Sequence, residues 1–167
     1  MAKRHPPRLH SSVYRGPAQY FLTICCYRRR KLLNDAEARG LVESELHRTS
    51  EAMRFAIIAY CLMPDHLHVV CEALSDESDL QAFVQLFKQR AAYAWKQKTA
   101  EPMWQPSYDD HVLRESESTR SRARYTLENP VRAHLVDEPG QYPHIGSFVY
   151  DRDELIEWAF GWNRADR

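Results

Sequence analysis

Long apolar runs, paired metal-binding cysteines and net charge are all missing from this sequence of 167 residues. No stretch approaches the roughly 18 apolar residues of a membrane-spanning helix, so we expect no membrane partner. The N-terminal segment lacks the apolar core of a secretory signal, which predicts a cytoplasmic protein with reduced cysteines. The length suits a single domain over residues 1–167.

The four cysteines have the wrong spacing for a zinc module. Cys25 and Cys26 are adjacent and Cys61 stands far from Cys71, so none forms the C-x₂₋₄-C pair of a tetrahedral structural site. In an extended strand Cys71 would also point away from the two histidines that precede it. We therefore interpret the cysteines as small buried hydrophobic residues.

Charge is balanced overall but unevenly distributed along the chain. Residues 1–34 contain eight basic residues and no acid, whereas residues 137–167 contain seven acids and three arginines. We predict a basic N-terminal arm at about 1–15 and an acidic C-terminal segment at about 150–167. A basic block is typical of phosphate binding, and a solvated arm without a partner is the alternative.

Hydrophobic periodicity predicts alternating strands and helices. Strands are expected at 19–28, 54–63, 66–73 and 108–114, and helices at 35–52, 79–98 and 116–129. Asn34 is the predicted cap of the first helix, with Glu37 three residues later. The apolar stripe of the second helix is expected to consist of Leu80, Phe83, Phe87, Ala91 and Ala94.

This order of elements predicts an α+β fold. Its first six elements match a ferredoxin-like βαββαβ arrangement, in which two helices cover one face of an antiparallel sheet. The other face is then free for a ligand or for the added seventh element, which is a helix.

The third strand carries two histidines in an otherwise apolar run, "YCLMPDHLHVVCEAL". Because side chains alternate along a strand, His66 and His68 share one face, which we expect to be open to a ligand. Neutral imidazoles in such positions can share one divalent metal ion. Ordinary hydrogen bonding is the alternative.

A second group of polar residues follows about 60 residues later, in "RARYTLENPVRAHLV". Tyr125 and Asn129 are four residues apart and would share a helix face. Tyr125 could instead fill a packing gap, and Asn129 before Pro130 could cap a new helical turn. Arginines are dense here, as is typical of phosphate binding: Arg114, Arg120, Arg122, Arg124 and Arg132.

Together these motifs resemble the single-tyrosine HUH transposases, and most closely the bacterial REP-associated tyrosine transposases. The resemblance rests on His-x-His after a Pro-Asp turn, then "WQPSYDDHVLR", then "YTLENPVRAHLV", over roughly residues 14–145. It implies the HUH endonuclease fold, with His66 and His68 as metal ligands, Asn129 as the third ligand and Tyr125 as the nucleophile. Many relatives have glycine where this chain has His134.

The resemblance also implies an activity. It predicts metal-dependent cleavage and transfer of single-stranded DNA through a 5′-phosphotyrosine on Tyr125, with Mg²⁺ or Mn²⁺ as cofactor. The implied partners are single-stranded DNA and REP-like DNA hairpins, bound by a monomer or homodimer in a bacterial cytoplasm. The absence of a P-loop is consistent with this, because rejoining of a phosphotyrosine needs no nucleotide cofactor.

Several side chains are candidates for holding the DNA. Basic residues would contact the backbone: Arg4, Arg8, Arg15, Lys88, Arg114, Arg122, Arg124 and Arg132. Aromatic residues could stack on bases: Tyr14, Trp95, Trp104 and Tyr108.

Two other functions remain open on the sequence alone. A non-catalytic single-stranded nucleic-acid binding module would also have a ferredoxin-like sheet with basic edges, although the aromatic RNP signature is missing. A metal-dependent hydrolase of small phosphoesters would have no use for the basic arm.

Overall fold

The computed structural model describes residues 11–114 and 117–161, of which only the backbone is described at 11 and 12. The α+β prediction is confirmed. The strands are β1 Gln19–Cys25, β2 Phe55–Met63, β3 His66–Ala73, β4 Asp109–Val112 and β5 Ile145–Gly146. The α-helices are α1 Ala36–Met53, α2 Leu80–Lys96, α3 Thr119–Leu127, α4 Asn129–Arg132 and α5 Arg152–Phe160.

The sheet has the order β4-β1-β3-β2-β5, and all of its neighbouring strands are antiparallel. Its first four strands have the ferredoxin-like order that the sequence predicts. The histidine strand β3 lies at the centre, between β1 and β2. A tight turn at Pro64 and Asp65 joins β2 to β3 and sets the register beside the histidines, which shifts by one residue only further on, between Ile57 and Ala59.

Helices α1 and α2 cover one face of the sheet. Leu67, Val69 and Cys71 of β3 belong to this core, together with Phe83 and Phe87 of α2. The position of Cys71 on the helix side confirms the predicted alternation. None of the helices among the described residues is long and apolar enough to cross a membrane.

Helices α3 and α5 cover part of the opposite face. Ala123 and Leu127 of α3 pack with Leu155 and Ala159 of α5, and Val70 of β3 belongs to the same core. The acidic C-terminal segment, for which the sequence suggested no role, therefore helps to hold α3 on the sheet.

Several predicted boundaries are wrong. Asp35 rather than Asn34 caps α1, because its carboxylate accepts a hydrogen bond from the backbone N–H of Ala38 at 2.8 Å. The first strand ends at Cys25, three residues early, and short 3₁₀ turns follow. Trp95, not Ala94, completes the apolar stripe of α2.

Candidate active site

The two histidines meet at the end of the sheet where β3 begins. In the register of β1 and β3, His68 lies opposite Thr23 and His66 lies opposite Cys25. The Nε2 atoms of His66 and His68 are 3.0 Å apart. The shared face of the pair follows the prediction, but its expected openness does not hold for His68, which is only 8% exposed.

Each imidazole has a partner on its other nitrogen. Nδ1–H of His66 donates to the Asp65 carboxylate at 2.6 Å, and Nδ1 of His68 shares a 2.9 Å hydrogen bond with the Thr23 hydroxyl. Asp65 in turn accepts from Arg29 Nε at 2.9 Å. The donation to Asp65 fixes the tautomer of His66, whose Nε2 lone pair then faces His68.

Burial keeps the pair in its neutral form. Burial is the main cause that lowers the pKa of His68 to about 3, and the neighbouring His66 adds to the effect. Burial also lowers the pKa of His66, although its hydrogen bond to Asp65 opposes the shift. Neutral imidazole is the form that binds metal ions.

The geometry of the pair fits a divalent ion. At the roughly 2.0–2.1 Å of Mg²⁺ ligands, two adjacent ligands of an octahedral ion lie about 3 Å apart, and the two Nε2 atoms have this separation. Asp65 and Thr23 orient the rings from behind, as partners of metal-binding histidines commonly do. No group of three His, Cys, Asp or Glu able to hold an ion occurs within 11–114 and 117–161.

Tyr125 lies close to the histidines, across one aromatic ring. Phe21 stacks on His68 with ring centroids 5.3 Å apart, and it also forms an edge-to-face pair with Tyr125 at 6.0 Å. The guanidinium of Arg132 lies over the Tyr125 ring at 3.9 Å, and that of Arg122 lies 5.7 Å from it. Tyr125 is 44% exposed, so an incoming ligand can reach it.

Asn129 stands one helical turn beyond Tyr125, as predicted, but does not cap a new helix. Its Nδ2 donates to the backbone carbonyls of Tyr125 and Thr126 at 3.1 and 3.2 Å. Because both partners are acceptors, the nitrogen must face them, and the amide oxygen is the atom left for a ligand.

The arginines around Tyr125 are paired with two glutamates. Arg124 and Arg132 bind Glu128 at 3.0 and 3.2 Å, and Arg122 binds Glu117 at 3.3 Å. These are exposed or half-buried pairs, of the kind that contribute at most about 1 kcal/mol. A phosphate can therefore displace the carboxylates at small cost.

The other predicted DNA contacts have mixed surroundings. Arg15 is exposed and binds Asp79 at 3.2 Å, while Arg114 is exposed near the start of α3. Lys88 lies on α2 behind the sheet, where its ammonium donates to the carbonyls of Gln105, Pro106 and Ser107. This arrangement favours a structural role for Lys88. Arg4 and Arg8 lie outside the described residues.

The aromatic residues suggested for base stacking belong to the core instead. Tyr14, Trp95 and Trp104 are buried, and Tyr108 packs against the same helix-side core. Burial of large aromatic rings stabilises the fold, and a buried ring is not accessible to a base. We therefore assign these four side chains a structural role.

Comparison with known proteins identifies the family. A family model described as "Transposase IS200 like" matches residues 16–125, which is more than half of the chain and ends at the candidate nucleophile. The chain belongs to the IS200-like transposases. The family supports a role as a DNA transposase or endonuclease.

Individual relatives of this IS200-like transposase have low sequence identity to it but match it over most of their length. The REP-associated tyrosine transposase of Escherichia coli K12 is 22% identical over 145 residues, covering 84% of each chain. An uncharacterized protein of Haemophilus influenzae is 22% identical over 160 residues, covering 77% of this chain and 88% of its own.

Solved structures share the fold. One is a REP-associated tyrosine transposase bound to a REP hairpin, with a TM-score of 0.72 and 20% identity, covering 85% of this chain and 82% of its own. Another is a putative transposase from Deinococcus radiodurans, with a TM-score of 0.51 and 21% identity, covering 76% of this chain and 96% of its own.

Three supporting residues of this IS200-like site were missed by sequence reasoning. Phe21 and Thr23 lie more than 40 residues before the histidines, and only the β1–β3 register brings them together. Asp65 precedes His66 directly, and this adjacency was a signal that could have been used. The Pro64-Asp65 pair by itself predicts only a turn.

Asp65 is expected to support metal binding without contacting the metal. Replacing Asp65 by asparagine keeps the size of the side chain but removes the charge that orients His66 and links it to Arg29. We expect Mn²⁺ affinity, measured by titration calorimetry, to fall about 10- to 100-fold. Asp110→Asn on β4 is the matched control, and equal losses in both variants would contradict the role of Asp65.

Proposed function

We propose that this protein is a metal-dependent single-stranded DNA endonuclease and strand transferase whose nucleophile is Tyr125. One observation carries the proposal: the Phe21 ring contacts both His68 and Tyr125. A candidate nucleophile and a candidate pair of metal ligands thus share one small area where α3 meets the sheet. A binding module would have no need for this combination.

The proposed chemistry is a phosphoryl transfer from a DNA 3′-oxygen to the Tyr125 hydroxyl. The phenolic oxygen of Tyr125 bonds to the scissile phosphorus and loses its proton, while the bond from phosphorus to the 3′-oxygen breaks. That oxygen takes up a proton and leaves as a free 3′-hydroxyl. The DNA strand remains joined to Tyr125 through its 5′-phosphate, and attack by another 3′-hydroxyl reverses the step without a nucleotide cofactor.

His66, His68 and the amide oxygen of Asn129 are the proposed ligands of Mg²⁺ or Mn²⁺. When bound, the ion would polarise the scissile phosphate and offset the negative charge that develops during transfer. Two imidazoles favour Mn²⁺, whereas Mg²⁺ is the ion implied by the family resemblance. Arg122 and Arg132 flank Tyr125 and would orient phosphate oxygens after release from their glutamates.

The proposed substrate is DNA with a REP-like hairpin and an adjoining single strand. Support comes from two relatives: one curated relative is named a REP-associated tyrosine transposase, and one structural neighbour was solved bound to a REP hairpin. Arginines on the exposed side of α3 and α4 suit binding of the backbone by a monomer or homodimer.

A covalent adduct is the direct test of this function. The protein is incubated with end-labelled oligonucleotides carrying a REP-like hairpin and flanking single strand, with Mg²⁺, Mn²⁺ or EDTA. We expect a labelled band that survives denaturing electrophoresis only when metal is present. Binding without an adduct under either metal would favour the non-catalytic binding module, and release of free phosphate from small esters would favour a hydrolase.

The basic arm is expected to contribute affinity rather than chemistry. Deleting residues 1–12 removes Lys3, Arg4 and Arg8. At roughly 0.7 per single-strand phosphate contact, the slope of log affinity against log salt should fall by about 2. Fluorescence anisotropy between low and moderate salt measures it. Adduct formation at saturating DNA should stay the same, and an unchanged slope would mean that the arm does not touch DNA.

A further inference from the structure

A second basic surface lies at the metal end of the sheet, in the loop of residues 28–31. Its four consecutive residues are all arginine or lysine and begin two residues after the end of β1. Cys25, at the end of β1, pairs in register with His66, and the next backbone N–H, of Cys26, donates to the carbonyl of Asp65 at 2.9 Å. The segment that leads into the loop therefore lies beside the histidine pair.

The loop has a defined conformation that presents its side chains outward. Arg28 and Arg29 both adopt left-handed backbone angles, with φ of 53° and 57°. Backbone hydrogen bonds hold this shape: Arg29 N–H donates to Cys26 at 2.9 Å, and Arg30 N–H donates to Tyr27 at 3.2 Å. Non-glycine residues adopt such angles at a cost, which the surrounding contacts must offset.

Two of the four charges are used within the protein. Arg29 binds Asp65, and Arg30 binds Glu101. Arg28 and Lys31 are exposed, and neither has an acidic partner in the part of the chain that the structure describes. Arg28 lies 5.2 Å from the centroid of the Tyr27 ring, which restricts its position.

The groups of the candidate site follow one another in a fixed order along β1. Tyr125 contacts Phe21, His68 pairs with Thr23, and His66 lies further along β1 opposite Cys25. At about 3.3 Å per residue, Phe21 and Cys25 are about 13 Å apart along the strand. The histidine pair thus stands between the tyrosine on one side and the loop of residues 28–31 on the other.

In-line displacement determines which DNA segment lies on each side. The leaving oxygen departs on the side of the phosphorus opposite the attacking oxygen. With Tyr125 at the Phe21 side and the phosphate near the histidines, the segment ending in the 3′-hydroxyl leaves towards the loop. The segment bearing the 5′-phosphate stays beside Tyr125, Arg122 and Arg132.

We propose that the loop of residues 28–31 binds backbone phosphates of the DNA segment that ends in the released 3′-hydroxyl. This inference rests on the proposed function and adds a second phosphate-binding surface to it. Arg28 and Lys31 make the contacts. Retention of this segment would keep its 3′-hydroxyl available for rejoining.

The test uses a double variant, Arg28→Asn with Lys31→Gln. Asparagine tolerates the left-handed backbone at position 28, so the loop should keep its shape. The matched control, Arg48→Gln with Lys96→Gln, removes the same charge from exposed positions on α1 and α2. Affinity is measured by anisotropy for an oligonucleotide spanning the cleavage position and for two shortened forms, each lacking one side.

For the full oligonucleotide we expect the loop variant to bind about tenfold more weakly and its salt slope to fall by about 1.4, from two contacts at roughly 0.7 each. The loss should vanish with the oligonucleotide that lacks the 3′-hydroxyl segment and persist with the one that lacks the 5′-phosphate segment. Wild-type affinity in the loop variant, an equal loss in the control, or a loss that follows the 5′-phosphate segment would each overturn the assignment.

Adduct formation separates failure of this inference from failure of the proposed function. At saturating DNA the loop variant should form at least as much adduct as the wild type, because weaker retention of the 3′-hydroxyl segment can only slow rejoining. An adduct in the wild type with unchanged affinity in the variant would overturn only the loop assignment. Absence of any adduct in the wild type, with either metal, would overturn both.

Discussion

Replacing Tyr125 by phenylalanine is expected to abolish the covalent protein–DNA adduct and to change DNA affinity by less than about threefold, which is under roughly 1 kcal/mol. The substitution removes only the hydroxyl. The ring keeps its edge contact with Phe21 and its position beneath Arg132. The arginines that would hold phosphate are unchanged, so binding and chemistry should separate.

Adduct yield is measured by denaturing electrophoresis, and affinity by anisotropy. Tyr93→Phe is the matched control, because Tyr93 is 70% exposed on α2, behind the sheet. Other tyrosines should not replace Tyr125, since attack requires an oxygen held about 3 Å from phosphorus and in line with the leaving group. An adduct in the Phe variant would disprove the assignment of the nucleophile.

Alanine at either His66 or His68 is expected to abolish both cleavage and high-affinity Mn²⁺ binding. Each substitution removes one of two Nε2 atoms that lie 3.0 Å apart. Mn²⁺ binding can be measured by calorimetry without DNA, so the result does not depend on activity. His47→Ala on the exposed side of α1 is the control. Cleavage by the double histidine variant at the wild-type rate would remove the metal-site hypothesis.

The two histidine variants should differ in stability. The His66 side chain retains 13% exposure at the end of the sheet, so its loss should leave the fold intact. His68 is buried beneath Phe21 and hydrogen-bonded to Thr23. Alanine at this position therefore leaves a small cavity and a Thr23 hydroxyl without its partner. We expect a decrease of about 1–3 kcal/mol in the free energy of unfolding for His68→Ala. If either variant failed to fold at all, the histidines would be chiefly structural.

Much of the fold could be predicted because local patterns and the tertiary structure agree. The alternation of β3 placed Cys71 on the helix side and the histidines on the other, and both positions hold. The cap of α1 could not be predicted in this way. Asn34 and Asp35 are both residue types that cap helices, and the carboxylate of Asp35 is the one that reaches the backbone N–H of Ala38.

Other parts of the fold could not be derived from local sequence. Strand β5 has two residues, too few to show any periodicity. Helix α5 was visible only as an acidic segment, because its two buried residues, Leu155 and Ala159, give a weak apolar stripe. Its position against α3 depends on contacts between residues distant in the chain.

In the site, the sequence indicated the residues carrying unusual chemistry but not those supporting them. His66, His68, Tyr125 and Asn129 stand out by type and spacing. Phe21 looks like any apolar strand residue, and its bridging position depends on strand pairing and on the packing of α3. The proximity of Tyr125 to the histidines is therefore a property of the assembled sheet and helix.

The site can form only if the turn between β2 and β3 keeps its length. Met63 pairs with His66 across the turn, and the pairs as far as Ala59 with Val70 keep the same register. One inserted residue that shifted the register of β3 by one position would exchange the two faces of the strand. Leu67 and Val69 would then point towards Tyr125. Such a chain would have almost the same sequence but no paired imidazoles beside the tyrosine, so the length of this turn decides whether the site can form.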